Sequence, residues 1–133
     1  MIKQTFLTLP VADLSKSIHF FQALGFKQEA KFSDETAACI IIYEQLSVML
    51  ATHAKFRVFT PKQVCDTSQA VEVLISLSCE SPQEVDELVA KALAAGGTTY
   101  DQAEDLGFMY SHSFVDLDGH GWGVLHLRDT TQS

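Results

Sequence analysis

The stretch LPVADLSKSIHFFQALGF, residues 9–26, decides how this chain is read. Residues 3–11, which run into it, alternate with period two. Phe6 and Thr8 fall on one side and Leu7 and Leu9 on the other, as in a half-buried strand. Pro10 and Asp13 end that strand. Asp13 carries a short acceptor suited to a helix N-cap, and Leu14, Ile18, Phe21 and Leu24 then recur at helical spacing. Gly25 offers the left-handed conformation that closes helices. Three more strands are expected near 26–32, 36–43 and 46–52, separated by Ser33–Asp34–Glu35 and by Glu44–Gln45.

The same order returns further on. Residues 71–79, VEVLISLSC, read as a strand. Ser81 and Glu84 then have the spacing of a capping box, with Pro82 at the first helical position, where its missing N–H costs nothing. Val85, Leu88, Val89, Ala92 and Leu93 form the apolar stripe of that helix, and Gly96 ends it as Gly25 ended the first. Strands are expected near 98–103, 107–115 and 121–127. Phe6 therefore corresponds to Leu74. The prediction is a single domain over 1–133, with module one at about 1–53, a linker at about 54–69 and module two at about 70–128. The linker holds Pro61 and room for a helical turn. Residues 128–133 read as a polar tail.

This β-α-β-β-β order, twice over, defines an α+β class: two curved mixed sheets, each covered by helices on one face. The uncovered faces would curve around a cleft, the default place for a ligand.

Composition narrows the function classes. The formal net charge is -8, and the nine Lys and Arg residues are scattered. An acidic surface repels phosphate backbones, so nucleic acid is not an expected partner; acidity by itself mainly keeps a protein dissolved. No apolar run approaches the roughly 18 residues of a spanning helix, so no membrane partner is expected. The N-terminus alternates like a strand and lacks the apolar centre of a signal peptide, which points to a cytoplasmic location. Cys39, Cys65 and Cys79 are widely spaced and form no CxxC pair. Cys39 and Cys79 read as buried thiols and Cys65 as an exposed loop residue.

The two modules, the stretch 9–26, and DLDGHGWGVLHL at 116–127 together resemble the vicinal oxygen chelate superfamily: glyoxalase I, extradiol dioxygenases, fosfomycin-resistance enzymes and bleomycin-binding proteins. The resemblance covers essentially the whole chain, with Leu117 where the family's Asp-Pro-Asp-Gly turn has proline. It implies a divalent metal held by His, Glu or Gln from the first and fourth strands of each module, acting as a Lewis acid. Carried over, those positions fall on Phe6, Met49, Leu74 and Gly123. None offers a hard donor, and the thioether of Met49 is too soft for the usual metals. Neighbouring residues Thr5, Leu7, Val48, Leu50, Val73, Ile75, Trp122 and Val124 would not restore the set. No metal and no other cofactor is therefore expected.

Five histidines remain to be weighed. His19 reads as a solvated helix residue, His53 starts the linker, and turn packing accounts for His120. If the DLDG turn is tight, His112 falls opposite Gly123 on the cleft side, with Tyr110 beside it and His126 pointing away. A lone strand histidine is more often a hydrogen-bonded structural residue than a catalyst. His112 is nevertheless the best catalytic candidate. The expected ligand-binding set is Phe6, Thr8, Met49, Leu74, Tyr110, His112, Phe114 and Gly123, while Trp122 and Val124 face the helices. An apolar lining of this kind makes either a filled core or a pocket for a flat molecule.

Two functions follow. The first is a metal-free protein that binds a small hydrophobic or aromatic molecule, in the manner of the bleomycin-binding members. The second is a lyase or dioxygenase using an unrecognised metal site or His112. The resemblance also implies a homodimer.

Overall fold

A computed structural model describes residues 1–128. The order is β1 (Thr5–Val11), α1 (Leu14–Ala23), β2 (Lys27–Glu29), β3 (Ala37–Tyr43), β4 (Leu46–Thr52), α2 (His53–Phe59), β5 (Leu74–Ser78), α3 (Pro82–Ala94), β6 (Glu104–Asp105), β7 (Met109–Val115) and β8 (Gly121–Leu127). Two four-stranded sheets result, ordered β1-β4-β3-β2 and β5-β8-β7-β6. In each, the first strand runs parallel to the fourth and the remaining pairs are antiparallel. The fold is α+β, built from the expected βαβββ order repeated once. The chain divides into two compact units, one ending at Asp66 and the next beginning at Thr67. That boundary falls inside the stretch expected to join the modules, and α2 is the helical turn anticipated there.

In the first unit, Asp13 caps α1 by accepting the Lys16 N–H at 3.1 Å. Phe20 and Phe21 are buried and meet edge to face at 5.1 Å. They pack with Leu24 where α1 lies on β3 and β4, whose Ala38, Ile40, Val48 and Leu50 are fully buried. The strand expected over 26–32 is shorter, because residues Ala30–Phe32 coil into a 3-10 turn. Ser33 holds that turn: its hydroxyl donates to the Glu29 carbonyl at 2.7 Å and accepts the Cys39 N–H at 3.1 Å.

In the second unit, the Glu84 N–H donates to Ser81 Oγ at 3.2 Å. Glu84 Oε2 in turn accepts from the Glu80 N–H, one residue before the partner a capping box normally uses. Val85, Val89 and Ala92 are buried where α3 lies on β7 and β8. Phe114 and Trp122, both fully buried, stack at 5.9 Å with planes 5° apart. The strand expected at 98–103 is reduced to a bridge between Thr98 and Val115, and regular pairing starts only at Glu104.

The main correction concerns β7 and β8. Val115 pairs with Gly121, leaving residues 116–120 in the turn. His112 lies opposite Val124, and it is Ser113 that faces Gly123. Because side chains alternate along a strand, a register one residue from the expected one exchanges the two faces. Tyr110, His112 and Phe114 therefore share the helix-covered face with Trp122, Val124 and His126, and do not line the opposite face.

The turn is long because Asp116 organises it. Its Oδ1 accepts the N–H groups of Asp118 and His120, and its Oδ2 accepts the Trp122 indole N–H, each at 3.0 Å. Gly119, at φ +87°, sits against the Thr67 backbone, and the Thr67 hydroxyl donates to the Asp118 carbonyl. Of the tail expected at 128–133, only Arg128 is among the described residues. Its guanidinium takes both carboxylate oxygens of Asp105, at 2.8 and 3.2 Å.

Candidate functional site

Each sheet has a face turned away from its helix, and Phe6, Met49, Leu74 and Gly123, the positions to which the resemblance assigns metal ligands, fall there. In the first unit, Phe6 pairs with Ser47 and Thr8 with Met49, on the face opposite the Leu9 and Leu50 core. Cys39, across from Met49, completes the row. Phe6 is 48% exposed, whereas Ser47 and Cys39 are buried. Ser47 Oγ accepts from Gln4 Nε2 at 3.4 Å. Burial pushes the Cys39 thiol above its ordinary range, partly offset by a hydrogen bond to Ser47, so it is a poor nucleophile.

In the second unit the equivalent face is made by Leu74 and Ser76 of β5, Gly121 and Gly123 of β8, and Ser111 and Ser113 of β7. Leu74 is 61% exposed. Two glycines side by side with β5 leave room for its side chains to lean over β8. A Cβ on Gly121 would stand 2.8 Å from Leu74 Cδ2, and one on Gly123 would stand 2.8 Å from Ser76 Oγ.

A divalent metal would need oxygen or nitrogen donors at these positions. Phe6, Leu74 and Gly123 offer none and Met49 only a thioether, while the space beside Gly123 is taken by the Ser76 hydroxyl. These four residues lack the hard donors that the resemblance implies for a divalent ion. Among the described residues, no three His, Cys, Asp or Glu side chains gather as a metal centre would require.

Of the expected set, Phe6, Thr8 and Met49 are brought together on the first sheet's uncovered face, and Leu74 and Gly123 on the second's. Tyr110, His112 and Phe114 are not. Phe114 is core. Tyr110 donates its hydroxyl to Asp86 of α3 at 2.7 Å, and that carboxylate raises the phenol's pKa. His112 Nε2 lies 3.5 Å from Asp101 Oδ1 and 3.4 Å from the Asp101 carbonyl. The same carboxylate accepts the Ser113 hydroxyl at 2.8 Å, so it ties the segment before β6 to β7. Ser76 and Gly121 were missed, although a period-two count onward from Leu74 reaches Ser76 directly.

Beyond these faces, an open depression of about 730 Å³ lies by Gln22, Phe26, Lys27 and Asp34. Asp34 at its rim is committed to its own turn. It accepts from the Thr36 N–H at 2.7 Å, the Thr36 hydroxyl and the Ala37 N–H, which together hold its carboxyl below the usual range.

No family model matches the sequence, and no curated protein matches it. Solved structures do. The chain is similar to hypothetical protein SA1046 from S. aureus, with 33% identity over 95% of this chain and 94% of that one, at a TM-score of 0.81. It is also similar to a glyoxalase/bleomycin resistance protein/dioxygenase family enzyme from Burkholderia phytofirmans PsJN, with 14% identity over 92% and 97% at 0.80. A glyoxalase-related enzyme from Fulvimarina pelagi gives 19% identity over 95% and 88% at 0.78. The chain is thus a relative of the staphylococcal protein, and it shares its fold with solved structures described as glyoxalase/bleomycin resistance/dioxygenase proteins.

Proposed function

We propose that this chain binds a small hydrophobic or aromatic molecule on the uncovered sheet faces, without the family's metal. The observation that supports this is the donor set: Phe6, Met49 and Leu74 fill three of the ligand positions with aromatic, thioether and aliphatic groups, and at the fourth Gly123 has only a hydrogen beside the Ser76 hydroxyl. Phe6 and Leu74 leave apolar surface in water, and covering it with a ligand would stabilise the complex by about 25 cal/mol per Å². Three free cysteines suit the reducing cytoplasm. Exposed Tyr43, Phe108 and Leu127 favour a homodimer, to be checked by sedimentation.

Metal content of the purified protein, before and after a chelator, tests the reading. Sub-stoichiometric metal and unchanged ligand retention are expected. One ion per chain, removed together with ligand binding, would overturn it. The competing reading, an enzyme with His112 as base, draws on the Asp101 carboxylate beside that imidazole. It requires His112→Gln to abolish a turnover that wild type shows.

A further inference from the structure

We infer that the ligand is uncharged and planar, with a carbonyl or hydroxyl oxygen; this rests on the binding reading above and narrows it. On the first face the three adjacent strands β1, β4 and β3 contribute Phe6, Thr8, Pro10, Ser47, Met49, Ala51, Ala37, Cys39 and Ile41, none of them charged. Charge enters only at the edge strand β2, as one Lys27 and one Glu29. On the second face β5, β8 and β7 contribute leucines, serines, glycines, Met109 and Val115, again without charge. On the edge strand Glu104 stands beside Ser111, and the nearby Asp101 has its carboxylate occupied by Ser113 and Thr99.

Moving a carboxylate or phosphate onto such a surface strips its water and supplies no cation in return. The acidic neighbours and the net charge of -8 add repulsion. An ammonium group is attracted by that net charge at long range, but on the face itself it loses its water and the three adjacent strands offer no carboxylate to pair with it.

What both faces do supply is repeated. Each first strand presents an exposed apolar side chain followed two residues later by a hydroxyl, Phe6 with Thr8 and Leu74 with Ser76. A hydroxyl can donate to a carbonyl oxygen or accept from a ligand hydroxyl, and an apolar group such as the Phe6 ring or the Leu74 isobutyl group covers a ring.

Three naphthalenes of similar shape separate the possibilities: 2-acetylnaphthalene, 2-naphthoate and 2-naphthylmethylammonium, titrated at pH 7 and followed by methyl NMR. The ketone should bind at least roughly tenfold more tightly than either ion, moving the Thr8 and Met49 methyl signals on the first face or the Leu74 methyl signals on the second. The double variant Thr8→Val with Ser76→Ala should weaken it several-fold and leave the unligated spectrum intact. Equal or tighter binding of either ion at those methyls would overturn the charge inference and leave the binding reading standing. Absence of binding by all three, or shifts confined to other methyls, would overturn both.

Discussion

The two long hairpins of this molecule solve the same problem differently. Between β3 and β4 the chain reverses through Glu44 and Gln45, with Tyr43 pairing to Leu46 and an irregularity between Ile41 and Tyr43 absorbing the twist. Between β7 and β8 it takes residues 116–120, held from inside by Asp116. The short hairpin is specified by its turn residues alone. The long one is specified by a buried carboxylate that fixes turn and indole together, so its register depends on one side chain. Burial raises the Asp116 pKa, while His120, the indole and the two turn amides favour the ionised form.

That dependence can be broken directly. Asp116→Ala leaves two turn N–H groups and a buried indole N–H without their acceptor, and should cost about 3 kcal/mol in denaturant unfolding. The indole emission of Trp122 should shift as well. A loss below about 1 kcal/mol would mean that the turn holds itself. Next comes a matched glycine pair. Gly119 and Gly25 both have positive φ, but a Cβ on Gly119 would stand 2.7 Å from the Thr67 carbonyl oxygen, whereas one on Gly25 meets nothing within 4 Å. Gly119→Ala should therefore cost about 2 kcal/mol or more, and Gly25→Ala about 1 kcal/mol from conformational strain alone. Equal losses would remove the distinction between a clasped turn and a free one.

The smallest effect is a pH dependence, again one per unit. Asp34 is held below its ordinary range by Thr36 and Ala37, and Asp105 by the Gly107 amide and Arg128. A depressed folded pKa gives stability that is present above the unfolded value, about 3.9, and lost as pH falls through the folded one. Asp34→Asn and Asp105→Asn should each lower stability slightly at pH 7 and flatten the acid loss below about pH 4. Because both groups are exposed, the Asp105 effect should also shrink with salt. An acid limb as steep as wild type in both variants would show that other carboxylates carry it.

The comparison also explains what the sequence could convey. Strand and helix order was readable because Asp13, Ser81, Gly25 and Gly96 punctuate it, and the faces of β1 were readable from Phe6, Leu7, Thr8 and Leu9. No turn lay between the pattern and its reading there. The β7–β8 faces were misassigned because the DLDG signal does not reveal that residues on both sides of it also belong to the turn. A better signal was present. Matching large to large pairs Phe114 with Trp122, and matching small to small sets Ser113 against Gly123, which is the observed register. Asp101 beside His112 could not be seen, since it depends on how the chain from Thr98 to Asp105 runs along the edge of β7.

The lean of Ser76 over Gly123 also bears on how this protein could change over generations. Any side chain introduced at 123 must first displace that hydroxyl, which stands where its Cβ would touch. An acid introduced at 123 is then best accommodated where the Ser76 hydroxyl rotates aside or position 76 carries a smaller side chain. The two positions are therefore coupled, and what stands at 76 governs how readily position 123 takes a side chain.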